Sequence, residues 1–393
     1  MTKPVENWKT DWDVAVREWR DLEYIATVWA ELREKCPIPH SERYGGSWLI
    51  TKYDDALNIA GQPSLFQNNG VRMNENRDLW GGASKPGGSM PPLSSNPPYN
   101  ADSRRPFLKF FVPDYVDTYE SYIRESIISM IDGFEDGIVY RLDKDLADRV
   151  PNAVLAKLCS LTEEQAEIIT GLGSTAMGLN ELSDEDRLDK SVPALELLDN
   201  ILKDRTINPK EDLPSAVLEL NHGGVPIDDF QAIGSFALIA VSITDTTKTV
   251  LRGAFRYLAE NPEEFNRLKN EPELIPTAVE EFLRFYAPNG GPVRLVNEDT
   301  EFQGCPMKKD DWVFLGYAIA NRDPEKFERP DEVILDRFPN PHLTFGHGIH
   351  KCVGSAYARM EIRLVLEEFT KRVSSFEFAE DVKFTRKLLI HKS

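Results

Sequence analysis

The chain has 393 residues, and 41% of them are hydrophobic, so it can bury a large core. It carries 46 Lys and Arg against 65 Asp and Glu, and the net charge of −19 argues against a general binder of nucleic acid or anionic membranes. The sequence opens without an apolar run, and its longest uncharged helical stretch is shorter than the ~20 apolar residues of a membrane span. Its 4 cysteines form no CxxC pair, as is typical of reduced thiols. We therefore expect a cytoplasmic protein that binds neither nucleic acid nor membranes.

Helical periodicity dominates the chain from its amino-terminal side onward. Apolar residues recur three and four positions apart in residues 27–36, 119–136 and 276–286. Strand-like segments are few and short, and the clearest are "GSWLITKY" and "DWVFLGYAIA". A stretch rich in glycine and proline, from Trp80 onward, is typical of a long loop. The pattern predicts a mainly α fold with small β-sheets.

One predicted helix is unusually long. It begins after Asp228, a good N-cap, and stops at Asn261-Pro262. Its first half is apolar on nearly every face, so it should cross the protein interior. Its middle carries the polar run Ser242, Thr244, Asp245, Thr246 and Thr247. These residues either face a polar seam or form a proton path or ligand contact.

The segment "FGHGIHKCVG", residues 345–354, combines His347, His350 and Cys352 with three glycines. A structural zinc site needs four ligands, and no second cluster supplies the missing one. An amphipathic helix pattern follows at once, which puts Cys352 at a helix N-terminus, where N–H groups and the helix dipole stabilise a thiolate. A thiolate held in this way suits a haem iron, where it favours O–O bond cleavage. Cys352 is therefore the expected metal ligand.

The same segment resembles the haem-binding signature of the cytochrome P450 monooxygenases, F-G-x-G-x-H-x-C-x-G, at every fixed position. The resemblance implies a single P450 domain over residues 1–393, in which the long central helix crosses over a buried haem b. It makes Cys352 the axial ligand of the haem iron and gives His350 a haem propionate. Phe345 and Gly346 belong to the same haem-binding loop, and His347 falls on a variable position.

Further stretches resemble the same family. "EEFLR" is similar to its E-x-x-R motif, which implies a structural trio of Glu281, Arg284 and Arg337 that supports the cysteine loop. The strand "GPVRLV" and the stretch "NPPYNADSRRPF" imply that Arg294 and Arg104 contact propionates. The second stretch has Asn100 where the family usually has a histidine, so one propionate contact departs from the pattern.

The middle of the long helix is similar to the family's A-G-x-[DE]-T-T signature. The resemblance makes Asp245 and Thr246 the catalytic pair that delivers protons for oxygen activation. Where the family has small residues, this chain has Ser242 and Ile243. Two hypotheses follow: Ile243 projects toward the iron and narrows the distal pocket, or the helix rotates or bulges there.

The implied substrate pocket has mostly apolar or small walls, which favours a compact, largely apolar substrate. It is lined by the loop from Asn68 to Ser95, by Leu238, Val241, Ser242 and Ile243, and by Asn289, Gly290 and Val293. Asn289 either fixes one polar group of the substrate or simply belongs to a turn. The family usually closes with a hairpin whose tip contacts substrate, whereas this chain finishes early, at "FTRKLLIHKS", so we expect that part of the wall to be short or built otherwise.

The electron supply is also implied by the resemblance. Basic residues border both segments of the expected proximal face, where an acidic ferredoxin would dock: Arg105, Lys109, Lys351, Arg359 and Arg363. No reductase or ferredoxin domain is fused to the sequence, so electrons should come from separate proteins.

Three functions remain compatible with the sequence. The first is a monomeric haem-thiolate monooxygenase that inserts one atom of O2 into an organic substrate, by hydroxylation or oxidative O-demethylation. The second is a peroxide-driven or non-hydroxylating haem-thiolate enzyme. The third is a haem-binding sensor or carrier, which would not need the acid–hydroxyl pair.

Overall fold

The computed structural model describes residues 25–68, 90–176, 184–379 and 388–392. The predicted long loop from Trp80 lies outside the described residues up to residue 89, as does the part of the predicted pocket wall between residues 69 and 89. Residues 90–98 of that loop are described and contain turns, with neither helix nor strand. Within them the chain is mainly helical with small sheets, which confirms the predicted fold class.

Fourteen α-helices are described in these four ranges. Their bounds are α1 Ala30–Lys35, α2 Tyr53–Ala60, α3 Asn100–Leu108, α4 Pro113–Asp117, α5 Glu120–Asp132, α6 Arg149–Cys159, α7 Glu163–Ala176, α8 Asp184–Ile207, α9 Leu213–Leu218, α10 Asp229–Glu260, α11 Pro262–Asn270, α12 Ile275–Tyr286, α13 Tyr317–Ala320 and α14 Ser355–Arg372. Short π-helical turns occur at Ile25–Trp29 and Asp143–Ala147, and 3₁₀ turns at Arg43–Gly45, Pro272–Leu274 and Gly348–His350.

The strands are short and lie in four small sheets. Their bounds are β1 His40–Ser41, β2 Ser47–Ile50, β3 Phe66–Gln67, β4 Ile138–Tyr140, β5 Asn221–His222, β6 Val225–Pro226, β7 Val293–Val296, β8 Thr300–Phe302, β9 Cys305–Met307, β10 Trp312–Leu315, β11 Val373–Phe378 and β12 Leu388–Lys392. The largest sheet has the order β1-β2-β10-β7-β3, with β2 and β10 parallel. A three-stranded sheet has the order β11-β12-β4, and β5-β6 and β8-β9 are hairpins.

The central helix α10 organises the helical part of the protein. Asp228 caps it through a capping box with Gln231, and Asn261 ends it just before Pro262. It packs against α6, α7, α8, α12 and α14. Fully buried residues such as Phe236 and Leu251 belong to the main core, because α10 has helices on several sides and so can bury more than one face.

One predicted element was partly wrong. The strand expected over "DWVFLGYAIA" ends at Leu315, and Tyr317–Ala320 form the short helix α13 instead. The chain turns at Gly316, where an added Cβ would lie 2.8 Å from the Ile50 carbonyl oxygen, so only glycine fits. This turn places Tyr317 beneath the loop that carries Cys352.

The last described strand closes the three-stranded sheet. β12 pairs with β11 on one side and with β4 on the other, both antiparallel. The residues between β11 and β12 lie largely outside the described ranges, so the expected shortening of this pocket wall stays a prediction.

Candidate functional site

The loop that contains the cysteine is held by its own backbone. The Cys352 N–H donates to the Phe345 carbonyl oxygen at 2.8 Å, which closes the segment on itself. Gly346 and Gly348 have φ values of 72° and 68°, in the left-handed region that favours glycine. An added Cβ at Gly348 would also lie 3.0 Å from the Ala60 carbonyl oxygen. The glycines of the signature are therefore explained by the path of the loop.

The thiol of Cys352 lies just before the first turn of α14, which begins at Ser355. Its side chain is accessible, yet burial raises its pKa, so it lies in a recess rather than on the outer surface. The backbone N–H groups of Gly354 and Ser355 and the charges of Arg104 and Arg359 act in the opposite direction and lower the pKa. These donors favour the thiolate, which is the form that ligates a metal.

Two arginines and a histidine converge near this thiol. Arg294, on β7, is 2% exposed, and burial lowers its pKa. Arg104, on α3, donates to the carbonyl oxygens of Ile349 and Lys351 at 3.0 and 2.6 Å. Burial, together with the charges of Arg294 and Arg104, lowers the pKa of His350 to about 3. Its Nε2 atom is buried and has no hydrogen-bond partner among the described residues.

This cluster fits a doubly anionic ligand. Within the described ranges, the hydrogen bonds of Arg104 and Arg294 go to backbone carbonyls and none to a carboxylate. Buried cations need anionic partners, and guanidinium groups pair well with carboxylates. The two propionates of haem b would meet that need, and the thiol of Cys352 would meet the iron.

A buried ion-pair network supports the loop from behind. Glu281, fully buried on α12, accepts hydrogen bonds from Arg284 at 2.8 Å and from Arg337 at 3.0 and 3.1 Å. The remaining guanidinium donors bind backbone carbonyls, for example Arg284 to Asn321 and Arg337 to Glu328. Because every charge is paired and hydrogen-bonded, the network fixes the segment that leads into the cysteine loop.

The acid and hydroxyl of the central helix have defined partners. Asp245 forms an ion pair with Lys248, one turn further along α10. The Thr246 hydroxyl donates to the Ser242 carbonyl oxygen at 3.1 Å, which leaves its oxygen free to accept another hydrogen bond. Lys248 was not among the predicted site residues, although its spacing of three from Asp245 is a usual signal for such a pair.

The structure distinguishes between Ser242 and Ile243. The helix is continuous through both residues, so no bulge occurs there. Ser242 is exposed, whereas Ile243 is partly buried and packs against the main core. The more accessible side chain of the two is therefore the small polar one.

The other predicted pocket residues differ in how far they are exposed. Leu238 and Val241 are partly buried on α10, and Asn289 is exposed in the turn that follows α12. Gly290 has a φ of 64°, and its carbonyl oxygen accepts from Ala318 at 2.8 Å, so it has a structural role in this turn. Val293 is only 4% exposed and packs in a small core cluster, so its side chain belongs to the core.

The predicted basic face is partly neutralised by acidic residues. Arg359 pairs with Glu280 at 2.6 Å, and its guanidinium lies over the ring of Phe345. Arg363 pairs with both Glu120 and Glu367, and Arg105 pairs with Asp102 at 3.1 Å. Lys109 and Lys351 are exposed, and neither has an ion pair among the described residues. Glu280 and Glu120 lie on other elements than their arginine partners, so no local spacing predicts these two pairs. Glu367 and Asp102 lie on the same helices as their partners, at the spacings of four and three that signal such pairs.

Comparisons with known proteins bear on the whole chain. The family model "Cytochrome P450" matches residues 237–388, which include the central helix and the cysteine loop. The chain is 29% identical to the putative cytochrome P450 YjiB of Bacillus subtilis over 92% of this chain and 90% of that protein. It is also 29% identical to cytochrome P450-terp of a Pseudomonas species, over 91% and 88%. The crystal structure of the Bacillus subtilis cytochrome P450 PksS matches with a TM-score of 0.81 at 25% identity, covering 97% of this chain and 100% of that one.

The chain belongs to the cytochrome P450 family. It is a P450 monooxygenase, an oxidoreductase whose cofactor is haem, and it uses an organic substrate, O2 and a redox partner. Among the helices that the structure describes, none is long and apolar enough to cross a membrane. No group of three or more His, Cys, Asp and Glu side chains in the described ranges could hold a metal ion.

Proposed function

We propose that this P450 hydroxylates, or oxidatively O-demethylates, a compact and largely apolar organic molecule, using electrons from a separate ferredoxin and ferredoxin reductase. The proposal depends on one observation above all, the thiol of Cys352 just before α14, beside the buried Arg294 and the partly buried Arg104. A single domain over residues 1–393 is supported by the coverage of the PksS structure.

Each side chain has a role that follows from its contacts. Cys352 would ligate the haem iron, with its negative charge stabilised by the N–H groups of Gly354 and Ser355. Arg104, Arg294 and His350 would hold the propionates. Bound haem supplies the activation of O2, with electrons from the redox partner. The protein's contribution is to hold the cofactor, orient the substrate and move protons.

Asp245 and Thr246 are the proposed proton-delivery pair. The side chain of Asp245 is 17% exposed, so it can exchange protons with water while Lys248 holds its carboxylate. The Thr246 hydroxyl donates to the Ser242 carbonyl oxygen, so its own oxygen can accept a hydrogen bond from a water molecule. A carboxylate and a hydroxyl one residue apart can relay protons through such water molecules.

The substrate class is inferred from the residues of α10 that the family resemblance assigns to the substrate pocket. Leu238 and Val241 are apolar and partly buried, and Ser242 is the exposed polar residue among them. Largely apolar walls with few polar groups favour an apolar substrate and leave its orientation to one or two hydrogen bonds. Asn289, exposed beyond α12, is the second candidate for such a bond.

An absorption spectrum of the reduced, carbon monoxide-bound protein tests the proposal first. We expect a strongly red-shifted Soret band, and we expect Cys352→His to lose it, because only a thiolate ligand gives this shift. A band typical of histidine ligation in the unaltered protein would overturn the assignment of Cys352. Turnover with NADH, ferredoxin and its reductase, compared with turnover on hydrogen peroxide alone, then distinguishes O2 activation from a peroxide-driven enzyme.

A further inference from the structure

Tyr317 is a buried tyrosine next to the cationic cluster. It is the first residue of α13, directly after the Gly316 turn, and it is 5% exposed. An added Cβ on Gly346 would lie 3.7 Å from the Tyr317 ring, so the ring lies against the cysteine loop. Burial raises the pKa of Tyr317, and the charge of Arg294 opposes that shift, so the two side chains are close enough to interact.

The hydroxyl of Tyr317 has no acceptor for its proton. It is buried and makes no hydrogen bond to any residue that the structure describes. The backbone N–H of His347 is near enough to lower the phenol pKa, but an N–H group is a donor and cannot accept the phenol's proton. A buried hydroxyl without a partner costs free energy, so such groups usually have a ligand or water to bind.

Asn100 does not supply the donor that the family usually places there. Its side-chain amide is buried and donates to the Ser95 carbonyl oxygen at 3.0 Å, within its own segment. Asn100 therefore does not take over the role of the family's histidine, because its side-chain amide binds the Ser95 carbonyl oxygen and not a propionate. The cluster has one fewer donor than the family pattern implies.

We propose that the Tyr317 hydroxyl donates a hydrogen bond to a haem propionate, beside Arg294 and His350, and replaces the donor missing at Asn100. The inference rests on the proposed assignment of Arg294 and His350 to the propionates. A phenol next to a guanidinium and an imidazole nitrogen forms a set of donors that complements a carboxylate on several sides.

The Tyr317→Phe variant of the holoenzyme tests this inference. One hydrogen bond to a charged group corresponds to roughly tenfold in an equilibrium or a dissociation rate, so haem transfer to an excess of an apo-haem acceptor protein should be about tenfold faster. The propionate bending bands of the resonance Raman spectrum should shift, a signature that a purely structural effect would not produce. Unchanged release and unchanged propionate bands would overturn the inference.

Tyr357→Phe is the matched control. Tyr357 is 3% exposed and its hydroxyl also lacks a partner among the described residues, but its ring packs on Phe111 and Tyr119, away from Arg294. The same chemical change at Tyr357 should leave the propionate bands in place. Equal effects in both variants would mean that haem release reports general loosening of the core, and would count against a specific role for Tyr317.

A second variant separates this inference from the proposed function. Adding Asn100→His to Tyr317→Phe restores a donor where the family usually has one, and we expect it to recover most of the lost haem retention. If Tyr317→Phe has no effect while the red-shifted band and the haem content are normal, only the role of Tyr317 fails. If the unaltered protein lacks that band, the proposed function fails instead.

Discussion

Glu280 shows how a single side chain on α12 connects the cysteine loop to the rest of the protein. Its carboxylate accepts hydrogen bonds from Arg359 at 2.6 and 2.8 Å and lies 3.1 Å from Nε2 of His342. Arg359 also lies over Phe345, whose carbonyl closes the cysteine loop. Glu280 therefore anchors an arginine that packs on the cysteine loop.

The free energy of unfolding should depend on pH through the Glu280 carboxylate. Burial would raise the pKa of Glu280, but Arg359 and His342 outweigh that effect and lower it from 4.5 to about 2. Because the folded pKa is below the unfolded value, the contribution is fully present above about pH 4.5 and is lost as pH falls toward 2. We expect Glu280→Gln to lower the free energy of unfolding at pH 7 by about 1 kcal/mol.

Urea unfolding at pH 7 and at pH 3.5 measures this effect. The difference in free energy of unfolding between the unaltered protein and Glu280→Gln should be smaller at pH 3.5. At that pH the unfolded carboxylate is largely protonated, so the ionised carboxylate of the folded state stabilises the protein less. Glu377→Gln, an exposed carboxylate on β11, is the matched control and should change neither value. A difference that grows toward acid pH would contradict the ion pair as its cause.

Individual residues also show which contacts can be predicted from the sequence. The trio of Glu281, Arg284 and Arg337 was named from a motif, and the structure brings these side chains into contact. Tyr317 was hidden inside a segment that read as a strand. Glu280 and Glu120, which pair with Arg359 and Arg363 from other elements, were missed because such pairing depends on packing that no local spacing encodes.

At the scale of elements, periodicity and capping were sufficient for the helices. The long helix was expected after Asp228 and up to Asn261, and α10 has these limits because both ends carry clear chemical signals. The prediction that the strand continues beyond β10 was wrong, because the β-branched and aromatic residues in "YAIA" favour a strand in isolation. A steric requirement at Gly316, set by the distant Ile50, turns the chain there instead.

The central helix permits a comparison between neighbouring residues. Ile243 packs against the core, so Ile243→Gly should lower the free energy of unfolding by about 2–3 kcal/mol, from lost packing and lower helix propensity. Ser242 is exposed on the same turn, so Ser242→Val should change substrate affinity instead, at a small cost in stability.

Two measurements on the two variants decide between these roles. Chemical unfolding gives the stability, and spin-state titration with any substrate that shifts the Soret band gives the affinity. We expect the larger stability loss for Ile243→Gly and the larger affinity change for Ser242→Val. A changed product pattern in Ile243→Gly at unchanged stability would instead support the hypothesis that Ile243 narrows the pocket.

At the scale of the whole molecule, an acidic protein has to attract an electron donor to one face. The net charge is −19, so only a local excess of cations could steer an acidic ferredoxin. Arg359 and Arg363 are bound to carboxylates, which leaves Lys109 and Lys351 as the exposed cations without described ion pairs. Exposed apolar residues lie beside them, with Leu108 46% and Ile349 38% exposed. Arg104 connects the two segments through its bonds to Ile349 and Lys351.

Charge reversal at Lys109 and at Arg363 should therefore have different effects, although the sequence alone treats the two residues alike. Lys109→Glu removes a solvated charge from the proposed docking face, so the KM for ferredoxin should rise several-fold and the salt dependence of turnover should weaken. Arg363→Glu places a third acid beside Glu120 and Glu367, so its main effect should be a lower free energy of unfolding. Steady-state turnover at low and high salt, with urea unfolding of both variants, separates the two outcomes.

If Arg363→Glu alone raised the KM at unchanged stability, docking would depend on the arginine despite its ion pairs. The ferredoxin would then not recognise the features that Lys109 and Lys351 share, namely their exposure and their position next to the cysteine loop.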